Sequence, residues 1–321
     1  MSKGALALLI HGGTDNWAPE RWKTRFKSEL SDRAVVSVVE DRFDPRTVQY
    51  AAVWKPGAGE LAAFPELKVI FNLGAGVDAV LSDPKLPRVP LVRVSDEDLT
   101  SRMTEYVVMH TLMHHRQQSY LDACQQRREW APRMQWPAKA VRVGILGMGV
   151  LGQHAAHALR ALGFQVAGWS RTAKMVDGID SYAGPDGLPA FLARTDILIC
   201  LLPLTPQTRG LLSRGLFAQL ARDGVLGGPV VINAGRGGLQ VETDILACLN
   251  DGTLTAVTLD VFEREPLDAD SRLWRHPAVK ISPHNAADTD PDAIAAYVAS
   301  QIRDFEAGRP LRNAVDPDRG Y

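Results

Sequence analysis

Cysteine is nearly missing: Cys124, Cys200 and Cys248 stand far apart in 321 residues, and no C-x-x-C pair occurs. That excludes a thiolate zinc site and a redox dithiol, and an odd, sparse count suits a reducing compartment. Long apolar runs are missing as well; nothing approaches the roughly 20 residues that cross a bilayer. The apolar run at residues 5–10 is short for a signal segment and leads into His11-Gly-Gly rather than a cleavage site, so it reads as a first strand. Neither charge sign prevails: 36 Lys and Arg against 37 Asp and Glu leave a net charge of −1. No nucleic-acid or membrane partner is therefore expected. Repeats, low-complexity tracts and charge blocks are absent. The expectation is a soluble cytoplasmic protein.

What is present is ordinary for a globular chain: 45% hydrophobic and 23% charged residues. At about 150 residues per domain the length suggests two domains. Short apolar runs at 6–10, 34–39, 50–54, 68–73 and 90–94, bounded by Gly, Pro or Asp, have the look of buried parallel strands. A helical pattern covers 17–30. A single long helix is expected over 102–126, which contains neither Gly nor Pro, followed by an extended arm at 127–139 rich in Arg, Trp and Pro. The alternation then restarts, with strands at 140–146, 165–169, 197–201, 229–233, 256–261 and 279–282. Helices fall between them at 151–162, 188–193, 216–220 and 242–250, and a last one at 291–307. This is α/β layering.

The strand at 140–146 runs into Gly147-Met-Gly149-Val150-Leu151-Gly152 and then a helix. Gly147 permits a tight turn, Gly149 lets backbone approach a pyrophosphate, and Gly152 lets helix pack on strand. The helix start then offers free N–H groups to phosphates. The next strand ends in Trp169-Ser170-Arg171-Thr172, without the acid that bonds a ribose 2′-OH in NAD-binding units. Two hydroxyls and a guanidinium suit a 2′-phosphate, so NADP is expected over NAD, which remains usable. A solvated arginine is the alternative at Arg171.

Three ionisable side chains follow strand ends: Arg236 in Asn233-Ala234-Gly-Arg-Gly, Glu265 in Asp260-Val-Phe-Glu-Arg-Glu-Pro, and His284 in Ser282-Pro-His. Ligands of open α/β sheets bind beyond the carboxyl ends of the strands. Singly, each could be structural: a surface arginine, a turn carboxylate, a core histidine. Earlier in the chain, Leu73-Gly74-Ala75-Gly76 exposes backbone N–H groups that could cradle a carboxylate, or is an ordinary turn. Trp54 is either a pocket wall or a core residue. His110 and His114 lie four apart, but without the H-E-x-x-H glutamate a metal is not expected.

Together, Gly147–Gly152, Asn233-Ala-Gly-Arg-Gly, Asp260-Val-Phe-Glu-Arg-Glu-Pro and Ser282-Pro-His resemble the D-isomer-specific 2-hydroxyacid dehydrogenase family. The resemblance covers nearly the whole chain. Leu73-Gly-Ala-Gly-Val-Asp78, Trp54-Lys-Pro, Trp-Ser-Arg-Thr and the terminal Asp318-Arg-Gly-Tyr321 are similar to its glyoxylate/hydroxypyruvate reductase A branch. Asn285 departs from that branch, where an apolar residue is expected.

The resemblance implies two Rossmann-like domains of parallel sheets flanked by helices. A dinucleotide domain at 101–286 would be inserted in a substrate domain made of 1–100 and 287–321. It implies NAD(P)H-dependent reduction of small 2-keto acids such as glyoxylate and hydroxypyruvate. His284 would protonate the carbonyl oxygen, Glu265 hold its ring, and Arg236 bind the substrate carboxylate. The cofactor would touch Gly147, Gly149, Val150, Leu151, Gly152, Ser170, Arg171, Thr172, Pro203, Ala234 and Asp260. The substrate would touch Trp54, Gly74, Ala75, Gly76, Arg236 and His284. The arm at 127–139 would join a homodimer partner and reach toward its pocket through Trp130. A non-enzymatic dinucleotide sensor on the same fold is the alternative.

Overall fold

The computed structural model describes residues 3–11, 17–94, 97–287 and 290–316. Most of the His11-Gly-Gly segment and the terminal residues 318–321 lie outside them. The chain divides into two compact units, one of residues 1–99 and 289–321, the other of residues 100–288 inserted between them in sequence.

The first unit is a five-stranded parallel sheet, ordered β2-β1-β3-β4-β5, from β1 (Ala5–Ile10), β2 (Val35–Ser37), β3 (Val48–Trp54), β4 (Val69–Asn72) and β5 (Leu91–Arg93). Its strands are mostly apolar because both faces are covered, with Ser37 and Asn72 as buried polar exceptions. Leu6, Leu8 and Ile10 enter one core with Trp22 and Phe26, whereas Ala5, Ala7 and Leu9 enter another with Leu61 and Phe64. The helix Pro291–Glu306 returns to this unit. Asp290 caps it by accepting the Asp292 N–H, and Ile294, Val298 and Ile302 fall on one stripe against the first core.

The second unit carries seven parallel strands, ordered β12-β11-β10-β9-β6-β7-β8. These are β6 (Arg142–Leu146), β7 (Gln165–Ser170), β8 (Asp180–Ala183), β9 (Ile197–Cys200), β10 (Val230–Asn233), β11 (Ala256–Leu259) and β12 (Val279–Ile281). Alternation again splits the strands between two cores: Leu198 and Val231 on one face, Ile199 and Ile232 on the other. The chain reverses direction across the sheet between β6 and β9, the crevice where doubly wound sheets bind ligands.

The expected long helix is two, Glu97–His115 and Gln118–Arg127, broken where Gln117 takes a left-handed φ of 56°. The arm then folds back on them: Tyr120 Oη donates to the Ala131 carbonyl at 2.9 Å, and Gln117 Nε2 to the Met134 carbonyl at 2.8 Å. The helix expected over 188–193 begins earlier, as Gly184–Ala193, with Pro189 inside it, and the one expected over 216–220 is the single turn Arg214–Phe217. Strand β8 was not expected at all.

Candidate active site

Because the seven strands are parallel, their carboxyl ends share one edge, neighbouring strands standing about 4.8 Å apart. The glycine loop leaves β6 at that edge. Gly147 has φ 107°, and a side chain there would press on the Leu201 backbone at 2.9 Å. A Cβ at Gly152 would collide with the Gly147 carbonyl, so helix Val150–Ala161 can start only this close to the turn with glycine there. Gly149 has nothing within 4 Å of where a Cβ would sit, and no side chain caps the helix. Open space before uncapped N–H groups fits a pyrophosphate.

Beside it, β7 ends in buried Ser170, whose hydroxyl donates to the Thr172 carbonyl at 2.8 Å, followed by exposed Arg171 and Thr172. No acid stands there, which fits a 2′-phosphate. Lys174, which belongs to no motif, places Nζ 2.7 Å from the Met148 carbonyl in the glycine loop. It brings a second cation to this corner. Only its position, three residues beyond Arg171, could have signalled it. Pro203 follows β9, its carbonyl accepting the Thr208 hydroxyl at 2.8 Å, and Ala234 is buried after β10.

Arg236 follows β10 in a loop fixed from beneath. Fully buried Asn233 donates to the Arg236 carbonyl at 3.2 Å and to Gln240 at 2.8 Å, while its own oxygen accepts the Gly235 N–H at 3.0 Å. The loop after β12 is fixed by Asp260, at the end of β11. Its backbone carbonyl accepts the His284 N–H at 2.8 Å. Oδ1 accepts the Ser282 hydroxyl at 2.6 Å and the Asn285 N–H at 3.0 Å, and Oδ2 the Ala286 N–H at 3.1 Å. The family resemblance implies that Asp260 also stands beside the cofactor; in the fold its carboxylate anchors the histidine loop. Tyr106 Oη stands 2.7 Å from the Ser282 hydroxyl and adds a further tether. His284 is thereby held at φ 55°, a strained value for a side-chain-bearing residue. Its Nδ1 lies 2.7 Å from Glu265 Oε2, and Glu265 Oε1 accepts the Phe262 N–H at 3.2 Å. One ring nitrogen is thus committed to a carboxylate, and Nε2 is left for chemistry.

His110 and His114 sit elsewhere. His114 Nε2 bonds the Thr258 hydroxyl at 2.8 Å, and the His110 ring lies 4.3 Å from that of Tyr106. Burial holds both well below the ordinary histidine value, at about 4, with Lys280 adding repulsion.

In the first unit, Trp54 stacks on Trp17 with ring centroids 4.3 Å apart, and its edge rests on Gly74, where a Cβ would collide with it. Gly74, Ala75 and Gly76 are partly exposed at the end of β4.

A doubly wound sheet with a glycine loop and a carboxylate-backed histidine at its carboxyl edge defines a dinucleotide-dependent dehydrogenase of the α/β class. A family model described as the NAD-binding domain of D-isomer-specific 2-hydroxyacid dehydrogenases matches residues 108–286. A glyoxylate/hydroxypyruvate reductase A from Yersinia enterocolitica is 44% identical over 286 residues, covering 87% of this chain and 90% of that protein. The structure of an NADPH-dependent glyoxylate/hydroxypyruvate reductase from Sinorhizobium meliloti, in complex with NADP and sulfate, superposes with a TM-score of 0.94. It is 46% identical and covers 99% of this chain and 100% of its own. A D-isomer-specific 2-hydroxyacid dehydrogenase from Xanthobacter autotrophicus, in complex with NADPH and MES, gives a TM-score of 0.92 at 39% identity, covering 99% of this chain and 100% of its own. The chain belongs to the D-isomer-specific 2-hydroxyacid dehydrogenase family.

Proposed function

We propose that this enzyme reduces short 2-keto acids, of the glyoxylate and hydroxypyruvate kind, to 2-hydroxy acids with NADPH. The observation that carries this reading is the Glu265–His284 pair at the carboxyl edge of the dinucleotide sheet. When bound, NADPH supplies the hydride that reaches the carbonyl carbon. Val150 and Leu151 lend their N–H groups, at the helix start behind Gly147, Gly149 and Gly152, to the pyrophosphate. Arg171 and Thr172 would hold the 2′-phosphate, with Ser170 shaping the turn through its bond to the Thr172 carbonyl. Pro203 and Ala234 would stand beside the bound cofactor, and Asp260 keeps the histidine loop in place. Arg236 pairs with the substrate carboxylate and polarises the carbonyl. His284 gives the Nε2 proton to the carbonyl oxygen while Nδ1 stays on Glu265, so the ring cannot turn away. In the first unit, the N–H groups of the Gly74–Gly76 turn receive a carboxylate, with Trp54 beside them.

The arm after Arg127 supports a homodimer. Trp130 is 98% exposed, Met134 69% and Trp136 41%, more apolar surface than a solvated loop carries. No described helix is long and apolar enough to cross a membrane, and the three cysteines are free and buried, which favours a reducing cytoplasm.

The test is NADPH consumption with a panel of short 2-keto acids. Turnover of glyoxylate or hydroxypyruvate is expected. A purified, folded protein that binds NADPH but reduces none of the panel would be a sensor rather than an enzyme.

A further inference from the structure

The run Val69-Ile-Phe-Asn72-Leu73 is apolar except for one residue, and that residue is 3% exposed. Burying an amide without partners is costly, so what Asn72 bonds is informative. Its Nδ2 donates to the Gly74 carbonyl at 2.7 Å and to the Gly76 carbonyl at 3.0 Å. Both acceptors are carbonyl oxygens, so only the amide nitrogen can face them.

The consequence lies in the peptide units themselves. The peptide bonds after Gly74 and Gly76 are trans, since among the described residues the one cis bond is Glu265–Pro266. In a trans unit the C=O and the N–H point in opposite directions. With the Gly74 and Gly76 carbonyls drawn down onto Asn72, the N–H groups of Ala75 and Val77 are turned the other way. Neither N–H has an acceptor among the described residues. Gly74 adds a second constraint, because the Trp54 edge occupies the space of its missing side chain.

We propose that Asn72 is a positioning residue for substrate. From beneath the turn it holds the N–H of partly exposed Ala75 outward as a preset donor for the keto acid carboxylate, while Val77, 3% exposed, stays in the core behind it. Asn72 does not touch the substrate. It fixes two peptide planes that would otherwise rotate, so the carboxylate meets a donor already in place. This rests on the reading that the Gly74–Gly76 turn binds the carboxylate.

The experiment compares Asn72→Asp, Asn72→Ser and Ala75→Pro with the unaltered enzyme, measuring KM for glyoxylate, KM for NADPH, kcat and the thermal midpoint. Asn72→Asp keeps the shape but offers the carbonyls at most one O–H, and only when it takes up a proton, in place of two N–H donors; Ala75→Pro deletes the donor N–H outright. Asn72→Asp is expected to raise the glyoxylate KM about tenfold or more, the worth of one or two hydrogen bonds, with kcat within about threefold. The NADPH KM should not move, and Asn72→Ser should fall between. A loss confined to glyoxylate KM is what general structural damage would not give. An Asn72→Asp enzyme with unchanged glyoxylate KM overturns the inference, and so do parallel losses in kcat and NADPH affinity. If Asn72→Asp does not fold, Asn72→Ser decides alone by the same criteria. Ala75→Pro separates the two layers. If it raises glyoxylate KM while Asn72→Asp does not, only the role of Asn72 fails. If it leaves glyoxylate KM unchanged, the carboxylate reading of the turn fails as well.

Discussion

Glu265 Oε2 stands 2.7 Å from Nδ1 of His284, and the other oxygen of that carboxylate holds the Phe262 N–H of its own loop. The ring is therefore braced by a group that is itself braced. His284→Ala should lower kcat by about 10²–10⁴ with little change in NADPH KM, the range for a positioned general acid. Steady-state kinetics with glyoxylate checks this, and near-normal kcat would remove His284 from the role of acid.

Arg236 sits between glycines in a loop fixed by Asn233. Arg236→Lys keeps the charge but loses the planar fork that matches a carboxylate. A fall of about tenfold or more in kcat/KM for glyoxylate is expected, since a charge-assisted bidentate contact is worth more than one ordinary bond. Unchanged kcat/KM would show that the charge alone suffices.

Arg171 follows a strand end that carries no acid. Arg171→Ala should raise the NADPH KM by about 10–100-fold, one charge-assisted contact, and leave the NADH KM nearly unchanged. Parallel titration of both coenzymes is the measurement. Equal preference for NADH in the unaltered enzyme would contradict the NADP assignment.

His110 and His114 are held neutral down to about pH 4 by burial, whereas in the unfolded chain they titrate near the ordinary histidine value. Between those values the unfolded chain binds protons that the fold refuses. Stability thus rises with pH through this window and is lost on acidification. The urea midpoint should decline from about pH 6.5 toward 4.5, and a His110→Gln/His114→Gln variant should show a shallower decline over that range. A decline as steep in the variant would assign the effect to other groups. The Arg33-paired Glu306, held below its ordinary range, loses its contribution mainly below its ordinary pKa, so it adds little over most of this window.

Trp130 and Met134 lie on the arm with most of their surfaces bare. Sedimentation at micromolar concentration should show a dimer, and Trp130→Ser with Met134→Ser should shift it toward monomer. A monomer before any substitution would end the proposal that the arm joins two copies.

The strands were legible because both sheets are buried on two faces, which writes most strands as largely apolar runs interrupted by single polar residues such as Asn72 and Thr258. Where packing is one-sided the signal fades. Asp180–Ala183 pairs only with β7 at the sheet edge and carries polar residues. The break at Gln117 has neither Gly nor Pro to announce it; what holds it is the bond to the Met134 carbonyl, which lies beyond the reach of local pattern. The helix Gly184–Ala193 contains Gly and Pro at its start and Pro189 within, so composition argued for a loop. For the candidate site, the proposed residues stood out because their types and spacing match a recognisable chemistry. Asn72 and Lys174 act through backbone carbonyls, and no spacing rule marks that.

The single carboxylate of Asp260 ties the end of one strand to residues 282–286 on the next. For anyone recombining this enzyme with its relatives, those segments form one indivisible cassette. A chimera that takes the histidine loop from one parent and an apolar side chain at position 260 from another would strand two amide hydrogens and leave the serine hydroxyl to Tyr106 alone. Crossover points are therefore better set before β11 or after Ala286 than between them.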